Sequence, residues 1–243
     1  DRPNNRTIAT DLFDCTLRPS IVRDGKRRDG EWTPSALGHK QQLRSDGALW
    51  SCEGNIAPRN EDSFEIQVTF RLLEGNDVAA VAGLSFDLQS PLEARHVFMP
   101  AAVYQGNDFE VNPMPYPPLW RDAADFREDM PVTITDLPRL SREHGKIELN
   151  TGDLSTPCMG FYDPSWKRGM LIFTDQGTRL GNSGMTAELL DDGAGSCFSV
   201  TAPCVRESSY ELCKRVESKD QPAIWQTGDE VTIRVLVSFF RAD

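Results

Sequence analysis

Alternation of apolar and polar residues predicts β-strands along much of the chain. The stretch FEIQVTFRLL places apolar side chains at every second position from Phe64 to Leu72, and EVTIRVLVSFF does the same from Val231 to Phe239. Successive side chains of a strand point to opposite faces, so the first stretch predicts a strand with one buried and one wet face. The second is apolar on both faces near Leu236 and Phe240, and it predicts a strand inside a sheet. The segment VAAVAGLSFDL follows the turn residues EGND and is apolar on both faces. It predicts a central strand that forms an antiparallel hairpin with the strand before it.

The remaining pattern predicts an all-β fold. Further strands are expected at PVTIT, GMLIFTD, GMTAELL, SCFSVTA and RESSYELC, separated by turn residues such as DDGAG and GNSG. Only LWRDAADFRED and LPRLSREH have room for short helices, and neither is long enough to connect parallel strands. The fold class is therefore a large antiparallel β-sandwich or supersandwich with few short helices. Because such sandwiches run to about 250 residues, residues 1–243 are expected to form a single domain.

Charge narrows the range of partners. The chain has 37 acidic and 26 basic residues and a net charge of -11, which repels nucleic-acid phosphates and anionic lipid surfaces. Neither nucleic acid nor membrane is therefore expected as a partner. The one basic cluster, RDGKRRDG from Arg23, is interleaved with aspartates and glycines, and we interpret it as a solvated loop.

The first residues, DRPNNRTIATD, lack the apolar core of a signal peptide. A secreted or periplasmic location is the expectation, and it requires a leader that has already been removed. The alternative is a chain that never had one.

Cysteine spacing gives no support for a metal site. The six cysteines form no CxxC pair and have no histidine nearby, so no metal and no other cofactor is expected. They are either disulfides or buried thiols, and both remain open. In an exported protein the stretch CVRESSYELC could fold as a hairpin and bring Cys204 to Cys213 within bridging distance.

Two segments resemble a known family. VFMPAAVYQGNDFE and GFYDPSWKRGMLIFTDQGT resemble the galactose-mutarotase-like β-supersandwich, which recurs as an amino-terminal domain of polysaccharide-degrading enzymes. Mutarotases use catalytic histidines and a carboxylate, and this chain has three histidines and no stretch like the NHTYFNL signature. The resemblance therefore implies a carbohydrate-handling module, which in a longer protein would be the amino-terminal domain beside a catalytic domain of the same chain.

The segment from Arg95 to Trp120 is the first candidate site. It combines prolines, which stiffen a connection, with aromatic rings that can stack on a sugar and polar groups that can bond its hydroxyls. We expect it to lie over the face of a sheet and to contribute to a saccharide-facing surface the residues Tyr104, Asn107, Asp108 and Trp120. The open alternative is an aromatic plug that covers a sheet edge.

The turn FYDPSWKRG is a second candidate, in which Trp166 and Arg168 either clamp a sugar or stack on each other. No catalytic residue can be named from the sequence, because GxSxG, GxxxxGK[ST] and GxGxxG motifs do not occur in a suitable setting.

Three functions remain open. The first is a carbohydrate-associated, non-catalytic supersandwich domain of a glycoside hydrolase or other polysaccharide-processing enzyme, with a saccharide or polysaccharide as partner. The second is a self-contained glycosidase or polysaccharide lyase that uses carboxylates. The third is a protein-interaction domain without a sugar role.

Overall fold

The computed structural model describes residues 7–9, 14–30, 34–35, 38–88, 96–107, 114–115, 131–132, 137–140, 145–165, 167–190, 195–211 and 214–242. The strands of the first half are β1 Thr7–Ala9, β2 Asp14–Arg23, β3 Lys26–Asp29, β4 Pro34–Ser35, β5 Gly38–Ser45, β6 Ala48–Asn60, β7 Ser63–Glu74, β8 Val78–Leu88, β9 Val97–Phe98, β10 Met114–Pro115 and β11 Pro131–Val132. Those of the second half are β12 Lys146–Asn150, β13 Cys158–Asp163, β14 Arg168–Thr174, β15 Gly177–Thr178, β16 Gly181–Asn182, β17 Gly184–Leu189, β18 Ser196–Ala202, β19 Ser208–Glu211, β20 Lys214–Glu217, β21 Ala223–Trp225 and β22 Glu230–Arg241. Short 3-10 turns lie at Gln105–Asn107 and Thr151–Asp153.

Two large antiparallel sheets form the sandwich. Sheet A has the order β1-β2-β8-β18-β17-β12, with β3 paired to β2 and β21 paired to β8. Sheet B has the order β4-β5-β6-β7-β22-β14-β13-β9. Strand accounts for 68% of the structure and helix for 4%. The predicted all-β antiparallel sandwich is confirmed.

The core lies between the inner faces of the two sheets, whose buried residues form one hydrophobic cluster. At its centre the indole rings of Trp50 on β6 and Trp225 on β21 meet edge to face, with centroids 4.8 Å apart. Both side chains are fully buried, and Trp225 Nε1 donates to the carbonyl of Ala80 at 3.0 Å. This pair joins the inner faces of sheets A and B.

The strands predicted from alternation are present. On β7, Ile66, Val68 and Phe70 are fully buried, while the residues between them are at least partly exposed. On β22, the residues of the face from Val231 to Phe239 are 0–3% exposed. The terminal strand lies inside sheet B, between β7 and β14, as its apolar residues predict.

The predicted hairpin between β7 and β8 is wrong. The two strands are consecutive but belong to different sheets, because β7 pairs with β6 and β22 while β8 pairs with β2 and β18. The connection contains Gly75 and Asp77 at φ 133° and 51°, backbone that redirects the chain from one sheet to the other. The prediction that β8 is central is correct, and burial of both its faces fits that position.

The segment from Arg95 to Trp120 is described at 96–107 and 114–115. Its strand β9 pairs with β13 and forms the last strand of sheet B, with Val97, Met99 and Val103 fully buried. Residues 96–107 therefore form an edge of sheet B and do not lie over the face of a sheet, and the ring of Tyr104 is 54% exposed, unlike the buried ring of an aromatic plug. The predicted helix LWRDAADFRED lies outside the described residues, and 137–140, the described part of LPRLSREH, is not helical.

Candidate functional site

A groove with a volume of about 490 Å³ crosses the outer face of sheet A. Its floor is formed by β8, β18, β17 and β12, and its walls by the β2–β3 turn on one side and by residues 205–207 with Pro222 on the other. We call it the sheet A groove. It follows from the period of two, since the same strands that bury one face in the core present the other face outward.

A row of polar side chains forms the floor of the sheet A groove. Register places five residues side by side on neighbouring strands, and they are Glu148, Thr186, Ser199, Ser85 and Arg18. The adjacent row of the inner face is apolar, with Phe86 and Phe198 fully buried beneath it. Three hydroxyls of the groove make no side-chain hydrogen bond with another described residue, and they belong to Thr186, Ser199 and Thr201. All three residues are half-buried.

A glycine on β8 leaves the floor of the sheet A groove without a side chain at that position. Gly83 on β8 lies in the next row, between Thr201 on β18 and Ser20 on β2. A Cβ at this position would approach Ser20 Oγ to 2.8 Å. Without a side chain here, a ligand can approach the backbone of β8 closely.

The first wall is a tight hairpin. Asp24 and Gly25 have φ of 48° and 70°, positive at both central residues, as a two-residue turn of this type requires. The hairpin extends Arg27 over the floor, where Nη2 donates to Ser85 Oγ at 2.6 Å and Nε donates to Asp29 Oδ1 at 2.5 Å. The stretch RDGKRRDG is solvated as interpreted, since residues 24–29 are exposed, but it forms a paired β-hairpin and not a loop.

The second wall is held by ion pairs around Arg206. Its guanidinium donates to Asp220 through Nε at 2.7 Å and Nη2 at 3.2 Å, and to Asp153 through Nη1 at 2.9 Å. Burial alone would raise the pKa of Asp220, but the hydrogen bonds from Arg206 hold that pKa below its usual range. Bidentate pairing of this kind fixes the geometry of the wall as well as its charge.

Carboxylates surround a single lysine at the edge of the floor. Lys146 Nζ lies 2.7 Å from Glu148 Oε1 and 3.1 Å from Glu207 Oε1. Burial alone would lower the pKa of Lys146, but the two glutamates raise it, so the ammonium stays charged. Glu188 lies opposite Lys146 on β17 and is half-buried, and its carboxylate makes no ion pair or hydrogen bond with another described residue.

Of the residues predicted from the sequence, those that the structure describes, Tyr104, Asn107 and Arg168, do not line this groove. Tyr104 is 54% exposed at the edge of sheet B, where its ring packs edge to face on Phe98 with centroids 5.4 Å apart. Arg168 begins β14 in sheet B. Asp108, Trp120 and Trp166 lie outside the described residues.

Asn107 organises its own loop. The residue is 4% exposed, its Oδ1 accepts from the amide of Tyr104 at 3.1 Å, and its Nδ2 donates at 2.8 Å to the carbonyls of Ala102 and of Pro138. These bonds use both ends of the side-chain amide, so in this conformation Asn107 supports the loop that presents Tyr104.

The described cysteines are buried thiols. Five are free, at Cys15, Cys52, Cys158, Cys197 and Cys204. Burial raises the pKa of Cys158 to about 11 and those of Cys197 and Cys204 to about 12, so these thiols are protonated at neutral pH.

The predicted hairpin of CVRESSYELC does not form. Glu211 pairs with Lys214, so β19 pairs with β20, which lies beyond the stretch, and not with the residues that follow Cys204. Cys204 is a free thiol, and Cys213 lies outside the described residues.

The described residues contain neither a metal-ligand cluster nor a helix that could cross a membrane. No group of three or more His, Cys, Asp or Glu side chains among them could hold a metal ion. No helix within the same residues has the length and apolar character needed to cross a membrane.

Comparison of structures finds proteins of similar fold. The chain is similar to a proposed aldose 1-epimerase of Escherichia coli K12, with 11% identity, a TM-score of 0.44 and coverage of 94% of this chain and 84% of that one. It is also similar to the Slr1438 protein of Synechocystis sp. PCC 6803, with 10% identity, a TM-score of 0.43 and coverage of 94% and 78%. A third is a proposed kojibiose phosphorylase from the human microbiome, with 8% identity and a TM-score of 0.33, of which the chain covers 25% while 97% of this chain is matched.

No family model matches the chain, and no curated protein matches it in sequence. The galactose-mutarotase-like resemblance seen in the sequence is thus also found between structures, as a resemblance of fold. At these identities and TM-scores it assigns neither an activity nor a site.

Proposed function

We propose that this protein is a saccharide-binding β-sandwich domain of a polysaccharide-processing enzyme, that the sheet A groove receives the sugar, and that catalysis is carried out elsewhere in that enzyme. A single observation carries the proposal. Thr186, Ser199 and Thr201 present half-buried hydroxyls in one groove, and none of the three bonds to another described side chain. Hydroxyls that no protein group binds exchange hydrogen bonds with water, and a polyhydroxylated ligand can replace that water as both donor and acceptor.

The size of the groove supports the same ligand class. A volume of about 490 Å³ lies within the range of small-ligand sites and is large enough for a short oligosaccharide. Glu148 and Arg27 add charge-assisted hydrogen bonds at the two sides of the hydroxyl row, which would orient a sugar across the strands.

The non-catalytic role is supported by the residue types present. None of the described residues that line the groove is a histidine, the residue type that mutarotases use as acid or base. The domain would then hold a saccharide for a catalytic domain of the same longer chain.

A matched pair of variants tests the binding site. Thr186→Val removes a groove hydroxyl, and Thr232→Val makes the same change on the outer face of sheet B, where Thr232 and Thr69 bond at 2.9 Å. On a glycan array the wild type is expected to bind saccharides, with affinity about five- to tenfold lower in Thr186→Val and unchanged in Thr232→Val. A wild type that binds no saccharide on a broad array, or equal loss in both variants, contradicts the proposal.

A second candidate function is favoured by two carboxylates of the groove. Glu148 and Glu188 lie on adjacent strands in diagonal positions, because Glu148 faces Thr186 and Glu188 faces Lys146. Diagonal residues of an antiparallel pair are roughly 7–8 Å apart, which is within the range of about 5–9.5 Å between the carboxyl groups of glycosidases. A glycosidase or lyase would release new chain ends from the bound glycan, and Glu148→Gln would abolish that release. Absence of turnover by the wild type on every glycan that it binds supports the non-catalytic role.

A further inference from the structure

The cations of the sheet A groove are already engaged. Arg23 Nη1 donates to the carbonyls of Ser45 and Asp46 at 2.7 and 3.1 Å, and Arg27 is bonded to Asp29 and Ser85. Lys146 and Arg206, the other two cations of the lining, each contact two carboxylates. Three of the four cations, Arg27, Lys146 and Arg206, are paired with carboxylates, so their charge is largely offset before a ligand arrives.

The lining of the groove carries four carboxylates, Asp24, Glu148, Glu188 and Glu207, and the same number of cations. The carboxylates are concentrated at one edge of the floor, where Glu148 and Glu207 both contact Lys146 and Glu188 lies opposite it on β17. Three carboxylates therefore surround one lysine at this edge, and the net charge of the chain, -11, has the same sign.

Two of these carboxylates have no counterion. Asp24 and Glu188 make no ion pair or side-chain hydrogen bond with another described residue. Asp24 is exposed at the hairpin turn, whereas Glu188 is half-buried at the edge of the floor. A walled groove focuses the field of such charges, so Glu188 is the stronger attractor for a cationic group.

We propose that the sheet A groove selects amine-bearing saccharides over uncharged ones, and uncharged saccharides over uronates and sulfated sugars, with Glu188 as the residue that receives the amine. This inference rests on the proposed function, since it names the substrate class of the same groove. An ammonium at Glu188 gains a charge-assisted hydrogen bond, whereas a uronate carboxylate meets carboxylates of like charge.

The test compares oligosaccharides that differ only in charge. An array carrying amine-bearing, N-acetylated, uronate and sulfated oligosaccharides ranks the classes, and calorimetric titration then compares the amine-bearing oligosaccharide that binds best with its N-acetylated counterpart at mildly acidic pH. The wild type is expected to bind the amine form at least about tenfold more tightly, and uronates about tenfold more weakly than the N-acetylated form.

Glu188→Gln is expected to abolish the preference for the amine, so that the ratio of the amine-form affinity to the N-acetylated-form affinity falls to about one. The matched control is Glu61→Gln, which removes the same charge from the exposed β6–β7 turn of sheet B and should leave both affinities unchanged. Tighter binding of uronates or sulfated glycans, no preference for the amine form, or a preference that survives Glu188→Gln overturns this inference but not the proposed function. A wild type that binds no saccharide on the array overturns both.

Discussion

The outer faces of the two sheets differ in how their polar groups are satisfied. On sheet B they pair with one another across neighbouring strands, as Ser63 does with Ser238 at 3.0 Å and Thr69 with Thr232 at 2.9 Å. On sheet A the hydroxyls of Thr186, Ser199 and Thr201 make no such bond with a described side chain, although the register of their strands is just as regular. Polar composition alone therefore does not distinguish the two faces, whereas the pairing of their hydroxyls does.

The largest effect is expected where the inner faces of both sheets meet. Trp225→Ala removes a fully buried indole that packs on Trp50 and bonds the carbonyl of Ala80. We expect a loss of about 3–5 kcal/mol in the free energy of unfolding, measured by urea denaturation. Because the pair joins the sheets, binding and stability should fail together, and a variant that keeps wild-type stability would show that the sheets do not depend on this contact.

A glycine on each outer face allows a direct comparison. Gly169 on β14 lies under the ring of Phe240, and a Cβ there would clash with that ring and lie 2.6 Å from the carbonyl oxygen of Phe161. Gly169→Ala is therefore expected to cost about 1–3 kcal/mol of stability, since the backbone must shift.

Gly83→Ala on sheet A meets mainly the hydroxyl of Ser20, which can rotate. It should cost less stability than Gly169→Ala and weaken saccharide binding on the array. Thermal unfolding and binding of both variants measure this difference, and the reverse order of stability would contradict the packing described for the two faces.

Acid should weaken the Arg206 wall of the groove, because it protonates Asp220. The pKa of Asp220 is lowered in the folded state, so its contribution to stability is present above the ordinary aspartate pKa of about 3.9 and is lost as pH falls through the folded value. Asp220→Asn should therefore be less stable than the wild type at neutral pH, and the difference should shrink below about pH 4.

The comparison variant is Glu65→Gln on sheet B, where hydrogen bonds from Gln67 and Arg59 lower the pKa of a solvent-exposed carboxylate. It should change the unfolding midpoint less than Asp220→Asn does, because exposed pairs are screened. Equal shifts for both variants in urea denaturation at pH 7 would mean that Arg206 does not hold the wall.

The smallest expected effect is a difference in stability between two threonine variants, one on the outer face of each sheet. Thr232→Val leaves the Thr69 hydroxyl without its partner and should cost about 0.5–1.5 kcal/mol in the free energy of unfolding. Thr186→Val removes a hydroxyl that has no partner among the described side chains and should be neutral or slightly stabilising. Urea denaturation of the two variants without ligand measures the contrast, and an equal cost would show that Thr186 is satisfied within the protein.

The sequence predicted the positions of the strands more accurately than it predicted which strands pair with each other. Alternation found β7 and β22 because each has one wet face, and the pattern is local. It placed β7 and β8 in one hairpin because a short turn joins them, but pairing depends on side chains far away in sequence, and the chain crosses between sheets at that turn.

The groove was missed for a related reason. Its hydroxyls are the ordinary polar half of alternating strands, and nothing in a strand shows whether walls will stand beside its outer face. One local signal was present, since Asp24-Gly25 is the residue pair that favours a tight hairpin turn. Aromatic and proline content instead predicted a site in the segment from Arg95, in which β9 forms the edge strand of sheet B.

The position of β22 has a consequence for how the chain folds during synthesis. Its partners β7 and β14 begin at residues 63 and 168, whereas β22 itself begins at residue 230, so the centre of sheet B closes after all three have left the ribosome. Until then, the apolar strand β7 has one unpaired edge of amides and carbonyls, a template for pairing with another chain. A ribosome stalled between β14 and β22 would therefore hold an aggregation-prone intermediate, and recovery of soluble protein depends on how quickly the last strand is supplied.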